Sequence, residues 1–83
     1  MEPEALTSAV YKAIEDHIFR KVKPRDILDL DIRVSFEIET QTVNIEVFLD
    51  AEDWIEAEEI VEGAILAGMQ LADKLMEHER ILQ

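Results

Sequence analysis

The amino-acid sequence predicts an α+β protein of order α-β-β-α, an antiparallel β-hairpin with both helices packed on one of its faces. Three observations lead there. Two neighbouring stretches between Leu30 and Asp50 alternate apolar and polar residues, the period of a strand with one wet face. The stretches on either side repeat apolar residues every three or four positions, the period of an amphipathic helix. The gap between the alternating stretches is too short for the crossover that parallel strands need, so they pair antiparallel. With 83 residues and neither linker nor repeat, the chain reads as a single domain over residues 1–83. A chain of that length buries only about 65% of the surface its unfolded form exposes, enough for one modest core.

The first helix is expected from Pro3 to about Lys23. Leu6, Ala9, Val10, Ala13, Ile14, His17 and Ile18 share one face. Pro3 suits the first turn, Glu4 opposes the positive end of the helix dipole, and the basic residues suit the negative end. Pro24 ends the helix, because the residue before a proline is pushed out of the helical region.

The first strand covers Leu30 to Glu39. Leu30, Ile32, Val34, Phe36 and Ile38 point one way, and Asp31, Arg33, Ser35, Glu37 and Glu39 the other. In the second, Val43, Ile45, Val47 and Leu49 stand opposite Asn44, Glu46, Phe48 and Asp50. Setting Ile38 against Val43 makes Thr40-Gln41 the turn. That dipeptide lacks the Asn-Gly signal of a tight primed hairpin, so a longer loop or a bulge is the alternative.

The second helix is expected to begin between Asp50 and Asp53, either of which can cap it, and to run to about Arg80. Its stripe is Trp54, Ala57, Val61, Ala64, Ile65, Gly68, Leu71, Ala72, Leu75 and Met76. Such a helix is about 40 Å long, against about 33 Å for a ten-residue strand.

A hairpin with one apolar face must carry both helices on that face. Ala5, Ala9 and Ala13 form a small-residue ridge on the first helix, and Ala64, Gly68 and Ala72 on the second. The two ridges are expected to meet. Both strands keep an open edge. Phe48 on the wet face, and Phe19, Ile55 and Leu66 off their helix stripes, are consistent with a homodimer.

Charge narrows the function classes. Eight Lys and Arg face 20 Asp and Glu, a net charge of -12. Such a chain is repelled by nucleic acid and by an anionic membrane surface. No apolar run reaches the roughly 20 residues of a membrane span, and the N-terminus lacks the features of a signal peptide, so a cytoplasmic location is expected. The absence of Cys excludes disulfides, thiolate nucleophiles and zinc–cysteine sites.

The charge is unevenly spread. Arg20, Lys21, Lys23 and Arg25 form a basic stretch, either helix-terminal cations or a site for an anion or acidic partner. From Glu46 to Glu79 there are eleven acids and one base, Lys74. Within that segment Glu52, Asp53, Glu56, Glu58, Glu59 and Glu62 cluster, and Glu52, Glu56, Glu59 and Glu62 fall on the outward side. They read as a solvated face, a docking surface for a basic partner, or a weak divalent-cation site without calcium-loop spacing.

No catalytic template is complete, so no enzyme activity and no cofactor are expected. His17 sits mid-face on the first helix and reads as a core residue; His78 reads as a surface residue near a helix end. The run HERIL lacks the second His of a metalloprotease motif. Ser8 and Ser35 lack the sharp glycine turn of a hydrolase nucleophile, and Gly63 and Gly68 lie inside a helix rather than in a phosphate loop.

The stretch DILDLDIRVSFEIETQTVNIEVFLD followed by a long acidic helix resembles a small archaeal family of uncharacterised proteins, over nearly the whole chain. The resemblance implies two helices on one side of a β-hairpin and carries over no functional residue. The layout also resembles, at fold level, the topological specificity domain of MinE, a bacterial cell-division factor. The function expected first is a non-enzymatic protein-interaction module or small adaptor, with Phe48 and the four outward acids or the basic stretch as its partner surface. The alternatives are a homodimeric MinE-like scaffold and a small-ligand or divalent-metal-binding protein built around His17.

Overall fold

The structure is a computed structural model that describes residues 2–78. Helix α1 spans Pro3–Lys21, a short 3-10 turn covers Pro24–Asp26, strands β1 and β2 span Ile27–Glu37 and Thr42–Ala51, and helix α2 spans Ala57–His78. The two strands form one antiparallel sheet. Ile32 and Leu49 are buried on its inner face, where Leu30, Val34, Phe36, Val43, Ile45 and Val47 join the core. Asp31, Arg33, Ser35 and Glu37 of β1, with Asn44, Glu46, Phe48 and Asp50 of β2, are exposed on the other face. Both helices lie on the inner face, α1 over β1 and α2 over β2. The expected α+β layout with one wet face is the one observed.

Helix α1 ends two residues sooner than expected. Pro24 holds Lys23 extended at ψ 141, and Val22 is extended as well, its N–H still bonded to the Ile18 carbonyl at 2.9 Å. The two residues it gives up let buried Val22 close the end of the core.

Strand β1 starts three residues earlier than expected, at Ile27, which pairs with Ala51. A bulge between Ile27 and Asp29 makes Leu28 an extra residue, 60% exposed. That pairing holds Asp50 and Ala51 in β2, so neither Asp50 nor Asp53 caps the second helix. The chain turns through Glu52–Glu56 instead, with the Ile55 N–H bonded to the Glu52 carbonyl at 2.9 Å, and α2 begins at Ala57. Trp54 therefore belongs to a turn, not to the helix stripe, and is 69% exposed. The expected helix end at Arg80 and the side chain of His78 lie outside the described residues.

The register also differs from the expected one. Phe36 faces Val43 and Glu37 faces Thr42, so Ile38 to Gln41 form a four-residue connection. Gln41 takes φ 53, the left-handed region normally left to Gly or Asn, and its side-chain amide donates to the Ile38 carbonyl at 2.8 Å. The longer-loop alternative is the one the chain uses.

The helix seam corrects the small-on-small expectation. The buried residues of α1 are Leu6, Val10, Ile14 and Ile18; Ala5 is exposed, and Ala9 and Ala13 are only half-buried. On α2 the buried positions are Ala64, Gly68 and Ala72. The large aliphatic stripe of α1 fills the shallow face of α2. A Cβ built on Gly68 would lie 2.8 Å from Cγ1 and 3.0 Å from Cδ1 of Ile14, and 3.2 Å from Cδ1 of Ile45. This contact explains why a Gly is kept inside a helix, where it costs about 1 kcal/mol relative to Ala.

Candidate functional site

A two-stranded sheet leaves β2 with one free edge, and α2 lies over that strand without closing it. The result is a groove of about 310 Å³ lined by Val47, Phe48, Leu49, Ala57, Glu58, Val61 and Glu62. Its sides have different origins. Alternation along β2 turns Leu49 inward and leaves Phe48 outward, 56% exposed. On α2, Glu58 and Glu62 stand one turn apart on the flank that overhangs the edge.

Phe48 is set among carboxylates. Asp31 is its cross-strand partner, and Glu46 and Asp50 are its same-face neighbours along β2. Asp50 in turn faces Asp29, a like-charge pair directly opposed on the sheet, which is destabilising. Arg33, opposite Glu46, donates from Nε to Oδ2 of Asp31 at 3.0 Å. Both partners are largely exposed, so the pair contributes little to stability.

Of the residues expected at a partner surface, the structure brings together Phe48 and Glu62. Glu56 is exposed just ahead of α2, and Glu59 is exposed on the helix outside the groove lining. Glu52 is half-buried in the connecting turn, where its N–H donates to the Asp26 carbonyl at 3.0 Å. Glu58, not one of the four acids placed outward from sequence, completes the groove. Its spacing of four from Glu62 was the available signal. Arg20, Lys21, Lys23 and Arg25 are all exposed at the end of α1 and in the following turn, apart from the groove. Arg20 donates to the Asp16 carbonyl at 3.3 Å, the role of a cation in a last helical turn. Among the described residues no three His, Asp or Glu side chains are placed to hold a metal ion.

His17 packs at the seam between the helices. A Cβ on Gly63 would fall 2.7 Å from its Nε2. Desolvation holds its pKa below 6.5, with the charges of Lys21 and Arg20 adding to the effect. A base with a lowered folded pKa contributes stability that is complete above its unfolded pKa and is lost as pH falls through the folded one. The stability of the native chain should therefore drop relative to that of His17→Gln as pH goes from about 7.5 to 5. Urea midpoints across that range check this; two parallel curves would refute it.

The family described as Protein of unknown function (DUF3194) matches residues 1–75. The chain belongs to this family. A relative, an uncharacterized protein from Methanocella arvoryzae, is 36% identical over 76 residues, covering 92% of this chain and 95% of its own. The fold matches the solution structure of the hypothetical protein mth677 from Methanothermobacter thermautotrophicus with a TM-score of 0.79 and 25% identity, covering 93% and 87% of the two chains. Both relatives are archaeal, in keeping with the resemblance stated from the sequence. DUF3194 brings no assigned site residue, so the reading of the groove rests on its geometry. Among the described residues no helix is long and apolar enough to cross a membrane.

Proposed function

We propose that this DUF3194 chain is a non-catalytic interaction module that takes an extended, basic segment of a protein partner along the open edge of β2. The groove between β2 and α2 carries this reading. An added strand would bond the unpaired N–H and C=O groups of β2, the usual source of affinity in strand addition, while alternate side chains give specificity. Its apolar side chains, on the outer face, would meet Phe48, and its Lys or Arg residues, on the side of α2, would meet Glu58 and Glu62. The net charge of -12 draws a basic segment in and speeds its encounter. His17 faces Gly63 and is not part of the groove lining, so among the described residues no imidazole stands beside Glu58 and Glu62, which favours binding over chemistry.

An NMR titration with a short alternating lysine–valine peptide tests the reading. Amide shifts are expected along Thr42–Ala51 and at Glu58 and Glu62. Binding should weaken about tenfold in the double variant Glu58→Lys, Glu62→Lys, and weaken again with added salt. Shifts that avoid β2, or binding indifferent to the two charge reversals, would overturn it.

A further inference from the structure

We propose that β1 is a homodimerisation edge, along which two copies of the chain pair antiparallel about a two-fold axis at Ile32. The result is a four-stranded sheet with all four helices on one face. β1 is 11 residues long and, among the described residues, is bonded only to β2, along one side. Its outer edge presents an open row of backbone donors and acceptors, and a two-stranded sheet gains most from further strands.

The two edges of the sheet differ in charge. Beside β2 stand Glu58 and Glu62, which repel a second copy of an acidic chain. Beside β1 the overhanging helix offers Thr7, Ser8 and Tyr11, which with Val34 line a groove of about 240 Å³ and carry no charge. A copy of the chain is therefore directed to β1, and the β2 edge stays free for a different partner.

The outer face of β1 also selects a register. It reads Asp29, Asp31, Arg33, Ser35 and Glu37. When Ile32 meets Ile32 of the second copy, Asp31 stands opposite Arg33 twice, and Asp29 stands opposite Ser35. On the inner face Leu30 meets Val34. Centring the axis on Arg33 sets Arg33 against itself and Asp29 against Glu37. Centring it on Asp31 sets Asp31 against itself. A slip of one residue turns the apolar face outward. Of these registers only the one at Ile32 avoids like-charge pairs while keeping the apolar side chains inward. The Asp31–Arg33 pair formed within one strand then exchanges partners across the axis.

Sedimentation at physiological ionic strength, where the Debye length is about 8 Å, tests the proposal. The native chain should dimerise. Asp31→Arg and Arg33→Asp each place like charges across the axis, and each should weaken dimerisation about tenfold or more. Both side chains are more than half exposed, so the fold should survive, and far-UV circular dichroism checks that. An equimolar mixture of the two variants restores opposite charges and should form heterodimers. A native chain that stays monomeric at its highest soluble concentration would overturn the proposal. So would a dimer that ignores both substitutions, or one that Glu58→Lys strengthens while the β1 variants leave it unchanged. The lysine–valine titration of β2 reads out independently of each of these results.

Discussion

Replacing Gly68 by Leu is expected to lower the melting temperature by about 15 °C or more, or to prevent folding. The side chain would enter a contact in which even a Cβ lies 2.8 Å from Ile14 Cγ1. That atom is mid-chain in a residue with 0% exposure, so it has no free path of retreat. Overpacking by a few methylenes typically costs 1–3 kcal/mol, and a Leu here adds four carbons to a seam with no room for the first. In a small domain each kcal/mol shifts the melting temperature by about 4–8 °C. Gly68→Ala sets two effects against each other. Helix propensity favours Ala by about 1 kcal/mol, yet the clash should win and leave a net loss of about 1–2 kcal/mol. Gly63→Ala is the control. There the obstacle is the imidazole end of His17, half-exposed and free to swing, so this variant should be neutral or stabler by up to about 1 kcal/mol. Thermal melts that rank the two alanine variants the other way would remove the seam as the reason for Gly68.

Ile14→Ala should destabilise the chain by about 2–5 kcal/mol, the range for emptying a buried aliphatic site. For 83 residues the whole stability is on the order of 4–12 kcal/mol, so this one change removes a large share of it. The informative measurement is the double variant. If Ile14 is what Gly68 must accommodate, shortening Ile14 makes room for the Ala Cβ. Ile14→Ala with Gly68→Ala should then be more stable than the sum of the single losses predicts, by about 1 kcal/mol or more. Denaturant unfolding of the four proteins in the cycle gives the coupling. Strict additivity would mean that the two positions do not meet.

Much of this fold can be read from pattern. The alternation in 30–38 and 43–49 assigned both strands and both sheet faces, because a period of two leaves no other way to bury Ile32 and Leu49 while wetting Asp31 and Phe48. The stripe Leu6, Val10, Ile14 and Ile18 assigned the buried face of α1 in the same way. The register escaped, since any slip by two residues preserves the faces and the connection carries no glycine to mark the turn. The start of α2 escaped as well. Asp50 and Asp53 are both good caps locally, and only the pairing of Ala51 with Ile27 takes the first into the sheet and delays the helix to Ala57.

The candidate site divides along the same line. Phe48 and the acidic run of α2 stand out in the primary sequence, and Phe48 was legible as an outward residue from parity alone. That Glu58 and Glu62, rather than Glu52, Glu56 or Glu59, border the groove with it follows from how α2 is rotated over β2.

Periodicity by itself determined the elements, their faces and the one-sided layering, because each depends on where apolar side chains recur along a single chain segment. Tertiary contact decided the register, the helix start, the large-into-small seam of Ile14 on Gly68 and the pairing of Phe48 with Glu62 across a groove. Those features depend on the shapes two segments present to each other, and no property of either segment alone encodes that fit.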